Sequence, residues 1–181
     1  MPNWCENDLV ISGSEDSLKE FFYFLKREGD EIKLVETFLP LPSELEGTSS
    51  PSRVVSQEEY DSWESEDQPF PKYATRPITK EIQEKLYLTY GVDNWYDWQR
   101  LNWGVKWGDC RTRIDGNEIH YDTPWGPFDD EVLEAISKRF PSLTFTLHFY
   151  EAGMAFQGKR IYQDGETAFA SDSKYHGDRG G

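Results

Sequence analysis

The stretch "LTFTLHFY", residues 143–150, constrains this chain more than any other. Leu143, Phe145, Leu147 and Phe149 alternate with Thr144, Thr146, His148 and Tyr150, the period of two that puts one face of a strand in a core and the other toward water. The segment before it, "PFDDEVLEAISKRFP", changes period: Val132, Leu133, Ile136 and Phe140 recur at helical spacing, Asp129 and Asp130 sit near the positive N-terminal end, and Pro141 stands just past the last turn. A helix feeding directly into a half-buried strand calls for a second layer to cover the apolar face.

The same pairing opens the chain. In "NDLVISG", Leu9 and Ile11 share a face opposite Asp8, Val10 and Ser12. The following "SEDSLKEFFYFLKREG" places Leu18, Phe21, Phe22 and Leu25 on one helical stripe. Ser17 and Glu20 have the spacing of a capping box and Gly29 that of a stop. "ITKEIQEKLYLTYG" is a further helix, with Ile78, Ile82, Leu86 and Tyr90 every fourth residue and Gly91 at its end. "VKWGDCRTRI" and "NEIHYDT" flank Asp115-Gly116 as a hairpin, with Val105, Trp107 and Asp109 read as strand alternation.

The order strand, helix, insertion, strand, strand, helix, strand is the double βαβ of a ferredoxin-like α+β sandwich, an antiparallel sheet with expected order 4-1-3-2. A hairpin around Asp164-Gly165 is appended to it. The expected organisation is one domain over residues 1–170 with an acidic and helical insertion over 38–103, and a disordered polar tail over 171–181.

Charge narrows the function classes. The 181 residues carry 34 acidic and 19 basic groups, a formal charge of −15, and 19 of those acids fall in the first 91 residues. Such a balance opposes general binding to nucleic acid or anionic membrane. With no long apolar run, no signal peptide and only Cys5 and Cys110, the chain reads as cytoplasmic and without a structural disulfide. None of the phosphate-cradle, nucleophile-elbow or zinc-protease motifs is present. Cys5, Cys110, His120, His148 and His176 lack metal-ligand spacing, so no metal or cofactor is expected. Asp109 or Asp122 beside Arg111 and Arg113 reads as cross-strand ion pairing rather than as a catalytic pair.

Three separated segments in order, "MPNWCENDLVISG", "NWYDWQRLNWGVKW" and "TPWGPFDDEVLEAISKRFPSLTFTLHFYEAGMAFQG", resemble the YubB-like family, whose members are carried by enterobacterial plasmids and phages and are assigned a ferredoxin-like domain. The resemblance spans Pro2 to Gly158 apart from the acidic insertion. It implies a mobile-element setting and that fold; the family's activity is undefined, so no catalytic residue carries over. The insertion "SSPSRVVSQEEYDSWESEDQ" matches no family motif.

Two candidate sites follow. Trp63 lies among Glu58, Glu59, Asp61, Glu64, Glu66 and Asp67, with no apolar period to bury it, which suits either a solvated loop or an anchor for a protein partner. The expected function is a non-enzymatic acidic protein that binds a host or element-encoded protein and modulates a nucleic-acid-binding factor. The alternative is a small-ligand or nucleotide-binding module stacking on Trp103, Trp107 and Trp125. Trp95, Trp98 and Leu101 read as a buried helical stripe, and Trp4 and Trp125 as core residues at strand ends.

Overall fold

The computed structural model describes residues 3–28, 31–65 and 75–177. The chain divides into two compact units, Met1–Pro40 with Asn102–Gly181, and Leu41–Leu101. The second unit lies within the segment 38–103 that the sequence marks as an acidic and helical insertion.

The first unit is built on β1 (Trp4–Ser12), α1 (Glu15–Phe24), the short hairpin β2 (Lys26–Glu28) and β3 (Glu31–Lys33), and α2 (Leu34–Phe38). In α1 the cap is Ser14, whose Oγ accepts from the Ser17 amide at 3.2 Å. The expected capping box at Ser17 is therefore one turn too late. The helix also ends at Phe24, earlier than the glycine suggested, because Lys26–Glu28 pairs with β3; Gly29 lies outside the described residues.

The second unit holds a 3₁₀ turn (Ser43–Leu45), β4 (Val54–Val55), α3 (Gln57–Ser65), β5 (Ile78–Thr79), α4 (Lys80–Tyr90) and the start of α5 (Trp95–Trp103). β4 and β5 pair in parallel. Thr79 caps α4 through the Ile82 amide, and Gly91 ends it with φ 75°, a left-handed conformation that costs glycine little. Buried Asp93 accepts from Gln83 Nε2 at 2.6 Å and Asn94 Nδ2 at 2.9 Å. Burial opposes its ionisation, but these bonds and the one from Ser52 outweigh that and hold its carboxyl below the usual range.

The chain then returns to the first unit as β6 (Cys110–Asp115), β7 (Glu118–Pro124), α6 (Asp130–Arg139), β8 (Thr144–Glu151), β9 (Phe156–Gln163) and β10 (Glu166–Lys174). The sheet runs β10-β9-β8-β1-β7-β6, with antiparallel pairing throughout. Strands of the double βαβ thus occupy consecutive places, β8-β1-β7-β6. The inner face carries Leu9, Ile11, Ile119, Phe145, Leu147 and Tyr162, all at 0% exposure. Phe21 of α1 joins the layers, its ring 5.2 Å from Phe140, 5.4 Å from Phe145 and 5.8 Å from Phe38.

The segment expected as a disordered tail from 171 instead continues β10 to Lys174, opposite Phe156. Its polarity is that of an edge strand with both faces wet, and its hairpin is tied to α6: Gly165 donates to Ser137 Oγ, and the Thr167 amide and hydroxyl both donate to Glu134. The tryptophan stripe is also revised. Trp98 is buried and Trp95 half-buried, but Leu101 is 62% exposed. The buried end of α5 is Trp103, at 0% exposure with its indole N–H on the Leu39 carbonyl at 3.1 Å.

Trp103→Ala is expected to cost about 3–5 kcal/mol, whereas Leu101→Ala changes stability by less than about 0.5 kcal/mol. Chemical denaturation of the two variants side by side checks this; equal losses would contradict the burial order in α5.

Candidate binding surface

Among the described residues of the first unit, α1 and α6 pack on one face of the sheet. Its other face carries Trp4, Glu6, Asp8 and Val10 from β1, and Glu118, His120, Asp122 and Pro124 from β7. The registers set Glu6 against Asp122 and Asp8 against His120, and on the other side Glu6 against Tyr150 and Asp8 against His148. The His120 ring nitrogen Nδ1 lies 2.6 Å from Asp8 Oδ1. Arg111 Nε is 2.5 Å from Asp122 Oδ2, and its guanidinium stands over the Trp4 ring at 4.9 Å. These residues line a groove of about 600 Å³. Burial pushes the Asp122 carboxyl up, against the lowering effect of Arg111.

Two turns close one end of this face. The segment expected to be strand from Val105 to Asp109 is a turn, with positive φ at Gly104, Trp107 and Gly108. Its physical cause is close packing. A side chain at Gly104 would collide with the Asp129 carboxylate, and one at Gly108 would lie 2.9 Å from Val35 Cγ1. Asp109, 6% exposed, pins the turn: its carboxylate accepts from the amides of Leu34 at 3.0 Å and Val35 at 2.9 Å and from Thr112 Oγ1 at 2.6 Å. The second turn follows β7, where Thr123 Oγ1 donates to the Gly126 carbonyl, Asn7 Nδ2 donates to Thr123 Oγ1, and the Trp125 amide donates to the Asn3 carbonyl.

Trp107 and Trp125 both take left-handed backbone, φ 70° and 67°, which is rare for bulky side chains. They are 45% and 42% exposed, so Trp125 is not the core residue its position suggested. Lys106 Nζ lies 3.6 Å from the Trp107 ring centroid and 4.9 Å from that of Trp125. Of the three tryptophans expected to stack a ligand, these two share one cation and Trp103 is shut in the core.

The acidic candidate falls in the other unit. Its core is the helix α3 rather than a loop, with Glu58, Glu59, Asp61 and Glu64 exposed; Glu66 and Asp67 lie outside the described residues. Trp63 is half-buried, with the Tyr60 ring 6.0 Å away, and Arg53 pairs with Glu59 at 2.5 Å. Sequence reasoning missed Trp4 and Arg111 as a stacked pair. The cross-strand Arg111–Asp122 pair was legible; the bulge that turns Arg111 over Trp4, with φ 55° and a register shift between Cys110 and Arg113, has no local signal. Among the described residues no group of three or more His, Cys, Asp or Glu could hold a metal ion, and no helix is long and apolar enough to cross a membrane.

An antiparallel sheet in this strand order, with two helices on one face and a polar open face, defines a ferredoxin-like α+β domain. Residues 102–178 match the family described as the ferredoxin-like domain in Api92-like protein. The match begins later than the resemblance in the sequence suggested, and it takes in the C-terminal hairpin. An uncharacterised protein, YubB of Escherichia coli K12, is 31% identical over 83 residues, 42% of this chain and 56% of YubB, so the chain spans little more than half of that relative's length. The crystal structure of a protein api92 from Yersinia pseudotuberculosis matches over 98% of this chain and 99% of that one, with a TM-score of 0.51 and 14% identity, a likeness of fold alone.

Asp109→Ala orphans two buried amides and is expected to cost about 2–4 kcal/mol, read by thermal or urea denaturation; a variant as stable as the parent would show that the turn holds without its carboxylate. Burial pushes the Cys5 thiol up to about 12. In native protein at about pH 8, iodoacetamide should therefore modify half-buried Cys110 well before Cys5, as peptide mapping would show; comparable rates would mean that the inner face of β1 is open to solvent.

Proposed function

We propose that the protein is a non-enzymatic, cytoplasmic accessory protein of a plasmid or phage that binds a host or element-encoded protein through a basic surface of that partner, and so modulates a nucleic-acid-binding factor. The observation that carries this reading is the placement of Glu58, Glu59, Asp61 and Glu64, all exposed on one formed helix in a chain of charge −15. A basic cleft built for nucleic acid is attracted to such a surface by the same long-range field that draws phosphates.

Because Trp63 is half-buried, α3 contributes steering rather than an aromatic anchor. Steering raises the association rate and is screened by salt; it changes dissociation little. Tight binding then needs anchors elsewhere, and tryptophan and arginine are the residue types that most often supply them. A second reading is favoured by one specific contact: Lys106 between the half-exposed rings of Trp107 and Trp125 suits a planar ligand bearing an anionic group.

Neutralising the helix with Glu58→Gln, Glu59→Gln, Asp61→Asn and Glu64→Gln together is expected to slow association with a basic nucleic-acid-binding protein by about tenfold or more at low salt, with little change in dissociation. Surface plasmon resonance over a salt series measures both. An unchanged salt slope would remove α3 from the contact.

A further inference from the structure

We propose that the groove on the open sheet face is a seat for an arginine side chain of a basic protein segment, and that Arg111 occupies this seat in the free protein as an internal stand-in. The proposal rests on the reading of a basic protein partner and names the surface that grips it.

Glu6 and Asp122 stand directly opposite on β1 and β7, with Asp8 two residues along β1. Like charges facing across a ladder repel, and a cation over such a row relieves that repulsion. Here the cation comes from the edge strand. β6 bulges between Cys110 and Arg113 and takes a left-handed φ of 55° at Arg111, which brings the guanidinium 2.5 Å from Asp122 and 4.9 Å from the Trp4 ring centroid. A bulge next to a site re-aims a side chain, and this one aims a guanidinium between a carboxylate and an indole face, the two groups best suited to hold it.

The seat is not closed over Arg111. That side chain is 64% exposed while Asp122 is 17% exposed, so the acid is a fixed part of the sheet and the arginine a lid on top of it. The groove of about 600 Å³ extends beyond this pair to Glu6, Asp8 and His120, which is more room than one side chain fills. An incoming arginine can take the indole face and Asp122, and Arg111 can swing into water at little cost. The planar, delocalised guanidinium favours arginine over lysine at such a place. Single-stranded nucleic acid is disfavoured because the carboxylates of the groove, Glu6, Asp8 and Asp122, outnumber its arginines, Arg111 and Arg113.

The test uses the full chain and a fluorescein-labelled hexa-arginine peptide, with hexa-lysine and a single-stranded oligonucleotide as comparison probes, read by anisotropy. Asp122→Asn and Trp4→Ala are each expected to weaken hexa-arginine binding about tenfold, and Arg111→Ala to tighten it several-fold. Lys19→Ala removes one positive charge from exposed α1 and is the control for net charge; it should leave affinity unchanged. Trp4→Phe, which keeps a ring, should retain more binding than Trp4→Ala, and circular dichroism identifies any variant that fails to fold. The proposal is overturned if Arg111→Ala and Lys19→Ala behave alike, if Asp122→Asn binds like the parent, if hexa-lysine binds as well as hexa-arginine, if the oligonucleotide binds in preference, or if neither the parent nor Arg111→Ala binds. The α3 quadruple variant separates this from the broader reading: it should keep the Arg111→Ala effect while losing salt-dependent steering. Loss of the groove effects with steering intact removes the seat and leaves a basic partner in place.

Discussion

The open end of the sheet depends on one buried carboxylate. Asp109 binds two amides at the start of α2 and the hydroxyl of Thr112 in β6, so it joins α2 to the strand that forms the sheet's edge. The geometry next to it follows. With Asp109 held on one side and Trp103 buried on the other, the five intervening residues must turn sharply, and close packing against Asp129 and Val35 leaves room only for glycine at positions 104 and 108. Trp107 is pushed outward by that turn. A carboxylate with three donors offsets its own desolvation, and its removal would deprive the Leu34 and Val35 amides of this acceptor.

The same economy of contacts explains why the surface tryptophans are capped by cations of the chain itself. Trp4 meets Arg111; Trp107 and Trp125 share Lys106. Half-exposed indoles are a solubility liability, and a cation over the ring face covers it while leaving the ring available to a competitor of the same chemistry. Such surfaces are stable alone and adhesive to the right partner. The −15 charge acts at longer range and on a different part of the chain, with α3 its densest described expression.

Where local chemistry decides, the sequence was legible. α4 ended on the glycine expected to stop it, although Ile78 belongs to β5 and not to the helix, α6 buried Val132, Leu133 and Ile136, and β8 kept strict alternation from Thr144 to Glu151. Those features depend on periodicity and on caps within a few residues. Errors gathered where partners are distant. The tail reads as disordered because its composition is polar, yet β9 pairs with Ser171 to Lys174, and a polar edge strand can use those hydrogen bonds. Leu101 reads as core from helical spacing and Trp125 from its place at a strand end, and both are exposed.

What the sequence by itself determined is the alternation of helix and strand, the apolar face of each, the net charge and the absence of recognisable catalytic motifs, because each is a property of neighbouring residues or of a sum over all of them. Only the tertiary structure decided which tryptophans face water, that Arg111 lies between Trp4 and Asp122, and that Glu6 and Asp122 share a row of the sheet. Those facts depend on strand register and on a bulge. A shift of one residue in either would send the same side chains to the opposite face, and no local preference in the chain distinguishes the two.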